Sequence, residues 1–173
     1  PLRGPRFRSH ETPPVSAEVI HVRTAKQMLD AVLNHLPETD ALIMAAAVAD
    51  FRPKSVAENK IKKEGGVPQM ELEATEDILN VVAGLGVGAK RPRVVVGFAA
   101  ESQSLIENAS NKLQSKNLDL IAANDISADD AGFAVETNRI TLLFANGQKE
   151  SLSLMSKTEA AEIIIERIAA FLE

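Results

Sequence analysis

Between Ala25 and Leu36 the apolar residues Ala25, Met28, Leu29, Val32, Leu33 and Leu36 recur at helical spacing and form one stripe. Thr24 precedes the stripe with a hydroxyl that can cap, Gln27 follows three residues on as a capping box requires, and Pro37 ends the pattern. Ala41 to Val48 is apolar on both faces, the pattern of a buried parallel strand. Met70 to Ala74 alternates weakly, as a short strand does. Thr75 then predicts a helix cap, with Glu76 and Asp77 in the first turn complementing the helix dipole and Ile78, Leu79, Val82 and Leu85 forming the buried face. Val94 to Phe98 reads as a second buried strand, Ser104 to Lys116 as a helix, and Leu118 to Ala123 as a third strand ending at Asn124-Asp125. Arg139 to Phe144 and Glu150 to Leu154 flank Asn146-Gly147, a strong hairpin signal. Ser156 and Glu159 make a capping box for a last helix whose inner face takes Ala160, Ile163, Ile164, Ile168 and Phe171. Upstream, Glu18 to Val22 predicts a short strand, and residues 1–14, with four prolines and three arginines, an extended lead-in.

Strands alternating with helices, followed by a hairpin and a helix, predict an α/β fold with a mostly parallel sheet. The 173 residues fit a single domain, and 45% hydrophobic content supplies a core. A net charge of −5 argues against a general nucleic-acid binder, because phosphate backbones demand basic surfaces. The absence of cysteine excludes disulfides and thiolate metal sites. His10, His21 and His35 do not pair at metal-ligand spacing. No apolar run reaches membrane-span length and no signal peptide opens the chain, so a cytoplasmic location is expected and a membrane partner is not. With no Trp or Tyr, Phe51, Phe98 and Phe133 are the ring-bearing candidates for contact with a base or a pantetheine chain.

Chemistry concentrates at strand ends. In open α/β sheets ligands bind at the carboxyl ends of strands. Asp50 follows the Ala41–Val48 run and reads either as a contact to a nucleotide or its Mg²⁺, or as a turn former. Lys60-Ile61-Lys62-Lys63, beside Gly65-Gly66, is either solvated surface or a lysine-bearing lid that closes over phosphates. Phe98 and Glu101 end the second buried strand, so they open onto the same sheet edge as Asp50. There Phe98 would line a pocket for a flat group, or simply be core. Lys112 and Lys116, four apart on a helix, share a face: their repulsion costs a few tenths of a kcal/mol unless an anion bridges them, and two independent surface lysines are the other reading. Asn124-Asp125-Ile126-Ser127 ends the third strand and reads first as a turn with structural hydrogen bonds, with polar contacts to a ligand as the other reading. Gly84, Gly86 and Gly88 follow a helix instead of opening one after a strand, so they fail as a dinucleotide fingerprint.

Several segments, in order, resemble the phosphopantothenate–cysteine ligases of coenzyme A biosynthesis. They are Ala46-Ala47-Val48-Ala49-Asp50-Phe51-Arg52-Pro53, Lys60-Ile61-Lys62-Lys63, Gly97-Phe98-Ala99-Ala100-Glu101, Lys112 with Lys116-Asn117-Leu118-Asp119, and Ala123-Asn124-Asp125-Ile126. The resemblance implies a Rossmann-like fold, a homodimer, and a ligase using CTP rather than ATP, with Mg²⁺. 4′-Phosphopantothenate and cysteine are its other substrates, and an acyl-cytidylate is its intermediate. It implies nucleotide contacts by Met44, Ala45, Ala46 and Asp50, with Asp50 near the ribose or the metal. Lys60 becomes the catalytic lid lysine, Thr75, Glu76, Asp77 and Phe98 further pocket residues, and Lys112 and Lys116 the phosphate-holding pair. FMN is implied only where a phosphopantothenoylcysteine decarboxylase domain is fused upstream. Two departures stand out. Thr75-Glu76-Asp77 replaces the Asn-Pro-Asp or Thr-Pro-Asp of many members. The family's amino-terminal Gly-rich unit, with its Asn and Ser-Ser-Gly turn, has no match, so the domain at 1–173 is expected to be incomplete at its amino terminus. A non-catalytic nucleotide-binding module of the same fold is the competing reading, and a dinucleotide oxidoreductase the third.

Overall fold

The computed structural model describes residues 16–55, 69–85, 91–127 and 136–173. Its centre is the pair of apolar runs at Val94–Glu101 (β4) and Leu120–Asp125 (β5), which lie parallel with Val96 opposite Leu120 and Glu101 opposite Asp125. Ala41–Met44 (β1) adds a third parallel strand on the far side of β4. Ile140–Phe144 (β7) and Lys149–Ser151 (β8) extend the sheet antiparallel, giving the order β1-β4-β5-β7-β8. The sheet is therefore parallel at its core with an antiparallel hairpin at one edge, and the α/β expectation is met.

Alternate residues of the central strands feed two cores. Val95, Ala99, Ile121 and Ala123 face Ala25–His35 (α1), Ile78–Gly84 (α2) and Leu105–Ser115 (α3). Val94, Val96, Leu120 and Ala122 face Lys157–Leu172 (α4) through Ala160, Ile164 and Ile168. Both faces of β4 and β5 are thus covered, which is why their sequences are apolar without alternation. Gly97 sits where α2 and the start of β5 press closest: a Cβ there would meet Leu118 Cδ1 at 2.6 Å.

Local chemistry set most boundaries. Thr24 Oγ1 accepts from Gln27 N at 3.1 Å, and Gln27 Oε1 accepts from Arg23 N at 2.8 Å, which fixes the start of α1. Ser156 and Glu159 form the full capping box that opens α4. At the end of α3, Asn117 takes φ +48°, Leu118 N donates to Leu113 O and Asn117 N to Gln114 O, a Schellman closure in which Asn tolerates the left-handed conformation. The β7–β8 connection, residues 145–148, has Gly147 at φ +88° and Gly147 N donating to Phe144 O, a turn in which glycine supplies the left-handed residue.

Several expectations are corrected. Glu18 to Val22 forms no strand: Val19 is 51% exposed, and no strand among the described residues lies beside this segment to pair with it. The first strand stops at Met44 rather than Val48, its ladder ending at the Met44–Gly97 pair, and it is not buried on both faces as expected: it stands at the edge of the described sheet with Ile43 39% exposed. The cap of α2 is Asp77, whose Oδ1 accepts from Asn80 N at 3.2 Å; Thr75 is not the cap. Leu85, expected on the buried face, is largely exposed just past the end of α2. Met70–Ala74 becomes Leu72–Ala74 (β3), paired antiparallel with an unforeseen Phe51–Pro53 (β2) in a separate ribbon. A second small ribbon joins Thr137–Asn138 (β6) to Met155–Ser156 (β9). Phe171 is only partly covered and packs its ring 6.1 Å from that of Phe144. No helix among the described residues is long and apolar enough to cross a membrane.

Candidate functional site at the carboxyl edge of the sheet

The parallel strands β1, β4 and β5 end on one edge, and a cavity of about 560 Å³ opens there. Ligand sites form at such edges because the loops leaving the strands diverge and leave a crevice. Of the residues singled out from sequence, Met44, Ala45, Ala46, Asp50, Thr75, Glu76, Asp77, Phe98, Lys112 and Lys116 all line it. Lys60, the expected lid lysine, lies outside the described residues, as does Phe133. Phe51 does not line the cavity; it stands 63% exposed on β2.

Each group is brought to the edge by a different element. The chain leaving β1 runs as the loop 45–50 along one wall, and Thr75 N donates to Asp50 O at 2.8 Å, tying that loop to the approach to α2. Asp50 itself is exposed at a bend, as either sequence reading allowed. Phe98 lies on β4 opposite Ala122 and packs on the α4 side of the sheet. Lys112 and Lys116 come from α3 on the other side. Thr75 Oγ1 is buried in the wall with no hydrogen-bond partner.

The two lysines are held differently. Lys112 Nζ donates to Phe98 O at 2.8 Å, so it reaches the terminal turn of β4 through a single neutral acceptor. Burial pushes its ammonium below the ordinary value and Lys116 adds repulsion, against a weaker pull from Asp77, Glu101 and Asp50. Lys116 Nζ donates to Asp77 Oδ2 at 2.5 Å, joining α3 to the cap of α2. Burial works to raise the Asp77 carboxyl, but the hydrogen bonds from Lys116 and the backbone of Asn80 outweigh it and hold the group below its usual range. An ammonium has three donors, so both lysines retain free N–H groups. Bound anion would relieve the unfavourable burial and repulsion at Lys112 together.

The Asp77–Lys116 pair makes a pH test. A carboxyl lowered on folding adds stability that is present above the unfolded value and lost as pH falls through the folded one. Asp77→Asn keeps a good cap and removes the charge. The variant is expected to melt slightly below the parent at pH 6, by an exposed-pair amount of up to about 1 kcal/mol. The gap should close as the pH drops below about 4. Thermal melts across pH 3–7 check this, and a gap that is flat with pH would contradict it.

Among the other residues of the wall, Asn138, Ile140 and Lys157 were not singled out from the sequence, and Asn124 read first as a turn. The turn belongs to the next residue, since Asp125 Oδ1 accepts from Ser127 N at 2.9 Å and from Ser127 Oγ at 2.6 Å. Asn124 instead points its Nδ2 to Asn138 Oδ1 at 3.4 Å. Asn138 and Lys157 reach the cavity through the β6–β9 ribbon, which no motif announced. Among the described residues no group of three or more His, Asp or Glu side chains is placed to hold a metal ion.

Residues 6–172 match the family of the DNA/pantothenate metabolism flavoprotein C-terminal domain. The chain is 43% identical over 162 residues to the coenzyme A biosynthesis bifunctional protein CoaBC of Bacillus subtilis, covering 94% of this chain and 39% of that protein. It is also 43% identical over 150 residues to a cysteine/cysteine sulfinic acid decarboxylase of an unknown prokaryotic organism, covering 87% of this chain and 41% of that protein. It thus spans well under half the length of these curated relatives. Among solved structures, the C-terminal domain of a CoaBC superposes with a TM-score of 0.74 at 33% identity, covering 94% of this chain and 70% of that one. The Rossmann-like reading of the fold holds against that domain. The family resemblance read from the sequence is upheld, and the chain belongs to the family of the DNA/pantothenate metabolism flavoprotein C-terminal domain.

Proposed function

We propose that the chain forms the nucleotide-binding part of a phosphopantothenate–cysteine ligase of coenzyme A biosynthesis. The observation that carries this reading is the convergence of the loop 44–50, the Thr75–Asp77 turn, Phe98, and the Lys112 and Lys116 ammoniums on one cavity at the carboxyl edge of the sheet. A flat ring, two cations and carboxylates at Asp50, Glu76, Asp77 and Glu101 suit a nucleoside triphosphate that arrives with its cation. In the reaction, a carboxylate oxygen of 4′-phosphopantothenate bonds to the α-phosphorus of CTP and pyrophosphate leaves. The amine nitrogen of cysteine then bonds to the acyl carbon, CMP departs with the electron pair of the broken bond, and the nitrogen sheds a proton.

Lys112 and Lys116 hold the phosphates in this scheme, Phe98 flanks a flat group, and Asp50 stands by the ribose. Lys60 is assigned to charge stabilisation during the acyl-nucleotide steps. The donor set fits Mg²⁺ that arrives on the triphosphate better than a protein-built cage, because the described residues assemble no metal cluster and Asp50 supplies one exposed carboxylate. Such an ion neutralises and orients the phosphates when bound. A homodimer and an upstream flavin-dependent decarboxylase domain belong to the same reading, as does a location in the cytoplasm.

The test uses the full-length protein that carries this chain. With CTP, Mg²⁺ and 4′-phosphopantothenate it is expected to exchange labelled pyrophosphate into CTP, and with cysteine added to form the amide. ATP is expected to substitute poorly. Nucleotide binding with neither exchange nor amide formation would replace this reading with that of a non-catalytic nucleotide-binding module.

A further inference from the structure

The cavity has two cationic sides, and the proposed nucleotide occupies one of them. Lys112 and Lys116 approach from the face covered by α1–α3. Lys157 lines the same cavity from the first residue of α4, which covers the opposite face. Lys157 is half-buried, its backbone N–H is spent on Glu136 O at 3.0 Å, and its ammonium has no hydrogen-bond or ion-pair partner among the described residues. An ammonium that lines a cavity without an acid paired to it keeps its donors free for an anion.

Its neighbours in the cavity wall are of a definite kind. Phe98 and Ile140 are the apolar groups on that face. Asn124 and Asn138 supply carboxamides, and Asn124 Oδ1 is a buried acceptor with no donor. One ammonium, one unsatisfied acceptor and a short apolar wall match a small α-amino acid. The carboxylate pairs with the ammonium, an N–H goes to the acceptor, and a compact side chain lies on Ile140, leaving the Phe98 ring to the nucleotide.

We infer that Lys157, with Asn124 and Asn138, forms the subsite for the amino-acid substrate, Lys157 holding its α-carboxylate. This rests on the ligase reading and extends it. The separation of the cations by the sheet edge has a chemical purpose. The amino-acid carboxylate is held by a charge that the triphosphate does not compete for, and the amine is left facing the acyl carbon. Lys157 is a positioning residue for that amine.

The experiment compares the full-length parent protein with Lys157→Ala and Lys157→Arg. Amide formation is measured with cysteine and with cysteamine, which has the same amine and thiol and no carboxylate. Losing one charge-assisted contact corresponds to roughly a tenfold to hundredfold effect. Lys157→Ala is expected to raise the KM for cysteine by about that factor and to erase most of the parent's preference for cysteine over cysteamine. Lys157→Arg should keep most of that preference. The cysteine-independent exchange of pyrophosphate into CTP should fall far less than amide synthesis in the alanine variant. A preference for cysteine that survives in Lys157→Ala overturns the inference. So does exchange that falls in step with amide synthesis, which would assign Lys157 to the nucleotide. A parent protein with no exchange at all would instead remove the ligase reading on which the subsite stands.

Discussion

The Lys112→Ala/Lys116→Ala variant loses measurable affinity for CTP–Mg²⁺ in a calorimetric titration of the full-length protein. Each ammonium aimed at a phosphate oxygen makes a charge-assisted hydrogen bond, for which about 1.5–3 kcal/mol is typical. Two such contacts together correspond to roughly a hundredfold to ten-thousandfold in affinity. The structure also separates this effect from unfolding. Removing Lys112 discards an ammonium that burial and Lys116 both disfavour. Removing Lys116 breaks an ion pair with Asp77 that is partly open to solvent, and such pairs are worth up to about 1 kcal/mol. The variant should therefore melt close to the parent while its binding disappears. Unchanged CTP affinity in a folded variant would remove both lysines from the phosphate site and with them the main support for the proposed function.

Leu120→Ala lowers the unfolding free energy by about 2–5 kcal/mol, the range for emptying a large aliphatic side chain from a core. Leu120 is 0% exposed, on β5, with β4 on one side and β7 on the other and α4 above. Its neighbours on that face, Val96, Ala122 and Leu142, sit on strands paired by hydrogen bonds on both flanks, so they cannot collapse into the space. Urea denaturation checks this through the midpoint at constant slope. A loss below about 1 kcal/mol would mean that the α4 face relaxes around the cavity, contrary to close packing. Because β5 also ends in Asn124 and Asp125, the variant should weaken the site as well as the fold.

Much of the fold was legible because its signals are short-range. Val94–Phe98 and Leu120–Ala123 are apolar on both faces, and only a strand covered on both sides needs that. Thr24 with Gln27, and Ser156 with Glu159, name helix starts through atoms three or four residues apart. Asn146-Gly147 states the turn through glycine's access to positive φ. The residues lining the cavity were legible for another reason: Asp50, Phe98 and the two α3 lysines lie just past, or on a helix following, runs that read as parallel strands, and parallel strands put their carboxyl ends together.

What sequence could not show depends on partners distant along the chain. Ala45–Ala47 look as strand-like as Ala41–Met44, yet the ladder stops at the Met44–Gly97 pair although β4 itself runs on to Glu101, and the chain leaves the sheet as a loop. Phe51–Pro53 and Thr137–Asn138 are too short to carry a period and become strands only because Leu72–Ala74 and Met155–Ser156 lie beside them. Thr75 and Asp77 are both acceptable caps by composition, and the choice fell to Asp77, which also meets Lys116 across 39 residues.

The sequence by itself thus determined the α/β class, the starts of the first and last helices, the central strands and many of the residues that line the cavity at the carboxyl edge, since spacing and cap chemistry act within a few residues. Only the tertiary structure decided that Lys116 is engaged by Asp77, that Lys112 rests on the Phe98 carbonyl, and that Asn124, Asn138 and Lys157 share the cavity from the α4 side. These are contacts between elements whose meeting is set by packing two layers of helices on one sheet, and no local pattern encodes them.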